Sequence, residues 1–382
     1  MARPGASLPA AAPSPARPRT LVIGAGIIGA AIADRLQAAG CPVTLFEAGI
    51  PAGGVTAAGM GHLLHLEDSP EQLAFTARGV ALWRAEALPP DCAREDRGTL
   101  WVARDRGELD EARATADRWT RLGLRAEILD AGQVRAAEPA LRPDLAGGMM
   151  VPGDQVLYPP AAARFLLDRA LARGARLVRQ PVRSLEPGGL VTDTGRHPGD
   201  AVVLAAGLGT TALLPGLGIV PRKGHLAITG RVPGLVHHQV LEWGYARSAH
   251  GRDSASAACN IQPRATGQLL LGSTREFTGA DPAPNRALLA TLLGRLVELL
   301  PALAQVPVIR VWTGFRPCGP GNLPTIGPWP GRAGLYVAAG HEGIGITTAL
   351  VTAELIAHHL LGTPPGLDPA PFLPSVPEPA HG

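Results

Sequence analysis

Apolar and polar positions change period several times along the chain, and each change marks an element. Thr20–Ile23 is a short β-branched apolar run, followed by the glycine-rich GAGIIG and a helical pattern from Ile27 to Ala39. Gly40 stops that helix, and residues 42–47 (PVTLFE) read as a second strand. Residues 51–66 are glycine-rich and irregular. A helix is predicted over about 69–87, ended by Pro89-Pro90. TLWVA at 99–103 is strand-like, a charged helix covers about 106–123, and short strand–helix–strand pieces follow. Residues 159–173 read as a helix, and 177–179, 189–192 and 201–205 as strands. From 222 to 275 the alternation is that of strands punctuated by Gly and Pro. A helix is expected over 285–300, a strand over 306–312, and a last buried strand over 335–339, which leads through HEGIGI into a helix ending near Leu361.

Strand, glycine turn, helix, strand is a right-handed βαβ unit. Pieces of that type occur at both ends and in the middle, with β-rich pieces between them. The expected architecture is therefore two domains that each cross the sequence several times. No internal repeat is visible.

Composition narrows the function classes. At 382 residues the chain can build two cores. Its 46% hydrophobic and 18% charged residues are ordinary for a globular protein. A formal net charge of +3 with no dense Lys/Arg run excludes an obvious nucleic-acid surface. The 48 Gly, 38 Pro and the excess of Arg over Lys are a background that makes single Ala or Arg residues uninformative. Cys41, Cys92, Cys259 and Cys318 are scattered, so no metal site or disulfide framework is expected, and a reducing, cytoplasmic location fits. Residues 1–18 read as a disordered tail and 363–382 as a Pro-rich tail. Leu21–Gly40 is apolar enough to suggest a membrane span, but four glycines with Asp34, Arg35 and Gln37 argue against one.

The strongest chemical signal is Gly24-Ala25-Gly26-Ile27-Ile28-Gly29. The first glycine allows the tight turn, the second lets the backbone approach a pyrophosphate, and the third packs helix on strand. The helix start supplies N–H groups and a positive dipole end. Glu47 closes the second strand, where an acid binds a ribose hydroxyl. The motif alone leaves NAD and FAD open. The chain, however, leaves the βαβ pattern after this unit, and a second glycine strand–turn–helix returns at 335–361. That return suits a long flavin, so FAD is the expected cofactor.

Several long segments in order then resemble a known family. GGVTAAGMGHL (53–63), DSPEQLAFT (68–76), VLYPPAAA (156–163), PRKGHLAITGR (221–231), NIQPRATGQLLLGSTREF (260–277), VWTGFRP (311–317) and GHEGIGITTA (340–349) are similar to the D-amino-acid-oxidase-type FAD oxidoreductases. That family includes glycine oxidase, sarcosine oxidase β-type subunits and D-amino-acid dehydrogenases. The segments most resemble its D-hydroxyproline dehydrogenase branch, with the hydrogen cyanide synthase and opine oxidase subunits nearby. The resemblance implies an α/β (mixed α+β) fold: a Rossmann-like FAD-binding domain from 19–88, 151–218 and 313–362, and a mixed β-sheet substrate domain from 89–150 and 219–312. It implies oxidation of the C–N bond of a small amino acid, with D-hydroxyproline or D-proline as the main reading. Glycine, sarcosine or opine oxidation is the alternative.

The same resemblance distributes roles. Thr56 is expected to reach the FAD phosphates, and Met60, Gly61 and His62 to pass beside the isoalloxazine. Val182 is expected at the adenine, and Ala206-Gly207 to leave room for the cofactor. Gly340, His341, Glu342, Gly343, Ile344, Gly345, Ile346 and Thr347 form the turn expected at the flavin N1–C2=O edge, where helix-start N–H groups stabilise charge that grows on reduction. Arg316 is the expected substrate anchor, because a guanidinium pairs with a carboxylate in a bidentate way. The family more often continues T-P-D after this Arg, whereas here Cys318-Gly319-Pro320-Gly321 follows. Glycine oxidase also has an Arg in the 340–347 region that this chain lacks. Tyr245 is a candidate to place a hydroxyl over the substrate, and His62 is either a catalytic residue or a buried hydrogen-bonded histidine. Glu242, His238 and Lys223 are weaker candidates. Arg310 reads as structural, and Tyr158 as core packing. An electron-accepting partner, for example an iron–sulfur subunit, is a further implication. The rivals are an NAD-dependent dehydrogenase and a non-catalytic FAD-binding subunit.

Overall fold

The computed structural model describes residues 17–244 and 255–375. Three parallel strands form the centre of the first sheet: β1 (Thr20–Ile23), β2 (Val43–Phe46) and β12 (Ala201–Leu204). All four residues of β1 are buried. With β8 (Arg176–Val178), β18 (Thr325–Pro328) and β19 (Leu335–Ala339) the sheet has the order β18-β19-β12-β1-β2-β8, and β18 is its antiparallel edge. Strands buried on both faces read as continuous apolar runs, which is why these segments were legible.

Helix α1 (Ile27–Ala38) packs against α6 (Pro159–Ala172) and the C-terminal α9 (Ala349–Leu361). Its contact surface is mostly small, with Gly29, Ala30, Ala31 and Ala33 all buried. The buried Asp34 of α1 takes Arg169 of α6 at 2.6 Å and Arg173 just beyond α6 at 2.5 Å, which fixes the pair of helices. α3 (Pro70–Ala85) also lies against α9, and it is capped by Ser69 with Pro70 at its first position. A three-stranded antiparallel sheet of β9 (Val182–Glu186), β10 (Gly189–Thr192) and β11 (Gly195–Pro198) stands beside this layer.

The second large sheet has eight strands. Its order is β17 (Val308–Cys318), β13 (Val220–Arg231), β16 (Gln268–Glu276), β15 (Ala255–Pro263), β14 (Gln239–Glu242), β4 (Thr99–Ala103), β6 (Gly147–Val151) and β5 (Glu127–Asp130). It is antiparallel except for β14 beside β4. Helices α4 (Arg106–Arg121), α5 (Ala131–Ala137) and α8 (Arg286–Leu299) flank it. The short α7 (Thr210–Leu213) follows β12.

Two expectations change. The stretch 51–66, expected to be irregular, folds into α2 (Gly54–Ala58) and β3 (His62–Leu63), and β3 pairs with β7 (Gln155–Val156). The strand expected at 306–312 begins at Val308 and runs unbroken to Cys318, paired with β13 along its length. The expected domain limit at 312/313 therefore falls inside β17, and Arg316 stands on the eight-stranded sheet. The cause is the partner strand: β13 has twelve residues and pairs with β17 past Trp312 as far as Cys318.

Candidate active site

Both large sheets and the glycine turns enclose one cavity of about 940 Å3. One end is made by the first βαβ unit. Gly24 sits at φ +104°, and a Cβ there would lie 2.4 Å from the Ala205 carbonyl oxygen. A Cβ on Gly29 would lie 1.9 Å from the Gly24 oxygen. Both positions therefore exclude any side chain, and the turn and helix start stay bare backbone. Gly29 itself does not line the cavity; it holds the turn against the helix. Thr56 is buried, and its Oγ1 accepts the Ile27 N–H at 3.0 Å. Its hydroxyl thus closes the start of α1, where an anion would sit.

Glu47 lines the cavity at the end of β2. Its Oε2 accepts Ala25 N–H at 2.7 Å and its Oε1 accepts Gly49 N–H at 2.8 Å. The carboxylate is held in place, and each oxygen keeps a lone pair for a hydroxyl donor. Val182, Ala206 and Gly207 complete this end.

The far end is reached through Met60, Gly61 and His62. Gly61 has φ +87°, and a Cβ there would stand 1.9 Å from the Leu157 oxygen. The His62 imidazole is pushed down to about 4, by burial first and by the Arg264 charge second, so it is neutral at neutral pH. The His62 carbonyl accepts the Thr347 hydroxyl at 2.9 Å, which ties this strand to the second glycine turn.

In that turn Gly340, His341, Glu342, Gly343, Gly345 and Ile346 line the cavity. Ile344 and Thr347 are buried and do not line it. His341 is bonded to Thr352 Oγ1 at 2.9 Å, and burial lowers it to about 3, so it too is neutral. The Glu342 N–H is engaged by the Pro317 carbonyl at 3.0 Å.

Arg316 lines the cavity from β17. Its Nη1 donates to Thr274 O at 3.1 Å and its Nη2 lies 3.3 Å from Ser273 Oγ, both on β16. Space for the guanidinium comes from Gly224 of β13, where a Cβ would lie 2.6 Å from Nη1. These two bonds, one to a backbone carbonyl and one to a hydroxyl, restrict the fork before any ligand arrives.

Tyr245 lies outside the described residues. The weaker candidates take structural places. Lys223 is buried against Glu276 at 3.2 Å. Glu242 accepts from Arg295 at 2.7 Å, and His238 pairs with Glu138 at 2.8 Å. Arg310 stacks over the Trp312 ring at 5.7 Å. Tyr158, expected in the core, is 48% exposed as the residue capping α6. Its ring is turned outward because Pro159, not the tyrosine, is the buried start of that helix.

Sequence reasoning missed Gly224, Leu226, Ser273, Gly314 and Phe315 as cavity residues. A usable signal existed for one of them: side chains alternate in strands, so Gly314 shares the face of Arg316. Gly224 is set opposite Gly314 only by the β13–β17 ladder. Finding Ser273 required knowing that β16 lies beside β13.

The cavity fits FAD on its own geometry: a bare glycine cradle at a helix start, a fixed acid at one end, and a long extension to a second glycine turn. Comparisons with known proteins agree. Residues 19–359 match the family described as FAD dependent oxidoreductase (DAO). The chain is 32% identical to a glycine oxidase of Pseudomonas aeruginosa, over 94% of this chain and 98% of that protein. Its fold is similar to the crystal structure of glycine oxidase from Geobacillus kaustophilus, with a TM-score of 0.83, 28% identity, and coverage of 94% and 98%. It is also similar to iminodiacetate oxidase from Chelativorans sp. BNC1, with a TM-score of 0.80, 26% identity, and coverage of 93% and 99%.

Proposed function

The chain belongs to the DAO family of FAD-dependent oxidoreductases and is an FAD-dependent amino-acid oxidoreductase, and we propose that it oxidises the C–N bond of a small amino acid in the manner of the glycine oxidases. The observation that carries this reading is that one cavity joins the Glu47 and glycine cradle to the restrained guanidinium of Arg316. The glycine oxidases named above support a glycine-type substrate over the D-hydroxyproline expected from the sequence.

Gly24, Gly26, Thr56 and Glu47 would hold the adenosine and pyrophosphate portion, with Val182 and Gly207 beside it. Met60, Gly61 and the turn from Gly340 to Gly345 would hold the ring. When bound, the flavin supplies the two-electron acceptor. Arg316 binds the substrate carboxylate through its planar fork, which fixes the direction of the Cα–H bond. Leu226, Met60 and Phe315 give the cavity apolar walls that exclude water from the reacting carbon. His62 is neutral and carries no charge into the site.

Anaerobic bleaching of the purified yellow protein tests the reading. Glycine, sarcosine, iminodiacetate, D-proline, cis-4-hydroxy-D-proline and octopine are added in turn. Glycine or sarcosine is expected to bleach the flavin fastest. Fastest bleaching by cis-4-hydroxy-D-proline would restore the hydroxyproline reading. No bleaching by any of the six would remove the amino-acid reading altogether.

A further inference from the structure

Glu342 is out of place for a residue that only holds a cofactor. It lies in a glycine-rich turn but takes φ +46°, a left-handed conformation that glycine adopts without cost. For a residue with a Cβ this conformation is strained, and such residues cluster at functional sites. The turn is stitched to β17 beside Arg316: Glu342 N–H donates to Pro317 O, and His341 bridges Cys318. A Cβ on Gly343 would lie 3.8 Å from both Cδ and Nε of Arg316. Glu342 lines the cavity, and its side chain is 22% exposed, with Oε1 3.4 Å from Arg222 Nη1.

The charged surroundings come from three strands. Arg222 stands directly opposite Arg316 in the β13–β17 ladder. Arg275 of β16 is on the same face, since its neighbour Glu276 pairs with Lys223 on the other. Cys318 also faces Glu342; burial, and then Glu342, push its thiol up to about 12, so it stays neutral. His341, in the same turn, is neutral as well. Arg316 and Glu342 thus both line the cavity, and the backbone of Glu342 is bonded to the residue that follows Arg316. A carboxylate is the wrong charge for a flavin edge that gains negative charge on reduction. It is the right charge for a substrate ammonium.

We propose that Glu342 binds the amine nitrogen of the substrate, so that Arg316 and Glu342 together read the two opposite charges of a zwitterionic amino acid. The inference rests on the amino-acid reading above. A carboxylate beside the ammonium also gives its proton a place to go: an N–H bond breaks, an O–H bond forms on Glu342, and the neutral amine is left.

The test uses the FAD-loaded protein and the panel amino acid that bleaches it fastest, with acetate as a carboxylate that has no amine. Glu342→Gln is expected to keep its flavin and to bind acetate, read from the flavin absorbance, within twofold of the parent. The half-saturating amino-acid concentration for bleaching should rise at least tenfold at pH 7. That deficit should shrink as pH approaches the amine's own pKa, and Glu342→Asp should recover part of it. An equal loss for acetate and the amino acid would mean that Glu342 acts only through Arg222, and the proposal fails. Unchanged amino-acid affinity also overturns it. If the parent is bleached by no amino acid, the functional reading fails first, and the inference goes with it.

Discussion

At the nucleotide end of the cavity, the parts that matter are missing side chains. Gly24 and Gly29 face backbone oxygens at distances that no Cβ tolerates, and the contacts offered to a ligand are N–H groups at a helix start. At the other end, three neighbouring strands present Arg222, Arg275 and Arg316 on one face, with Glu342 set among them. Like charges directly across a ladder destabilise a sheet. One end is thus defined by the backbone and tolerates nothing added, while the other is defined by charged side chains and depends on what balances them. The first should fail as a structure. The second should fail as a recognition site while the fold survives.

The largest effect tests the first half of that contrast. Gly29→Ala places a Cβ 1.9 Å from the oxygen of Gly24, in the turn that joins the buried β1 to the largely buried α1. Relief requires moving α1 away from β1, at a cost of about 3 kcal/mol or more. The expected product is a protein that purifies without bound flavin or does not accumulate. A yellow Gly29→Ala protein with full flavin content would break the comparison at this end.

Arg316→Ala tests the other half. Removing one partner of a charged recognition pair typically costs 2–5 kcal/mol, so KM for the amino acid should rise by roughly 30-fold or more. Flavin content and visible spectrum should stay as in the parent, because the Arg316 bonds to Thr274 and Ser273 are made on β16, at the end of the cavity away from the glycine cradle. A rise below about tenfold would sink the anchor role. A loss of flavin in the same variant would show that the two ends are not separable.

The contrast also explains what could be read from the chain alone. The glycine cradle was legible residue by residue because its signal is local: strand, GAGIIG, helix and Glu47 fall within one βαβ unit. Thr56 was found by resemblance, but that its hydroxyl would cap Ile27 N–H, 29 residues earlier in the chain, was not visible. On the substrate side, Arg316 stood in a motif, whereas its supports, Gly224, Ser273 and Thr274, come from strands whose adjacency is a property of the sheet. The neutrality of His62 and His341 was invisible for the same reason, since it comes from packing contributed by distant segments.

Those two histidines offer the smallest effect and tie the glycine turn to measurable stability. His341 is depressed to about 3 in the folded chain, against an ordinary value of 6.5. Below pH 6.5 the unfolded chain takes up a proton at this position that the folded chain refuses. Stability is therefore complete above pH 6.5 and is lost as pH falls toward the folded value. At pH 5.5 the loss from one such histidine is about 1.4 kcal/mol. His341→Asn removes the titrating group and weakens the bond to Thr352, so it should be less stable at pH 7.5 yet lose less on acidification. Urea midpoints of parent and variant at pH 7.5 and 5.5 measure the difference, and the gap between them should narrow by about that amount. Parallel loss in both proteins would mean that His341 is not what makes the second glycine turn acid-sensitive. His62, depressed to about 4 on the adjoining strand, would then be the group to replace next, since it is held neutral by burial and the same sign applies.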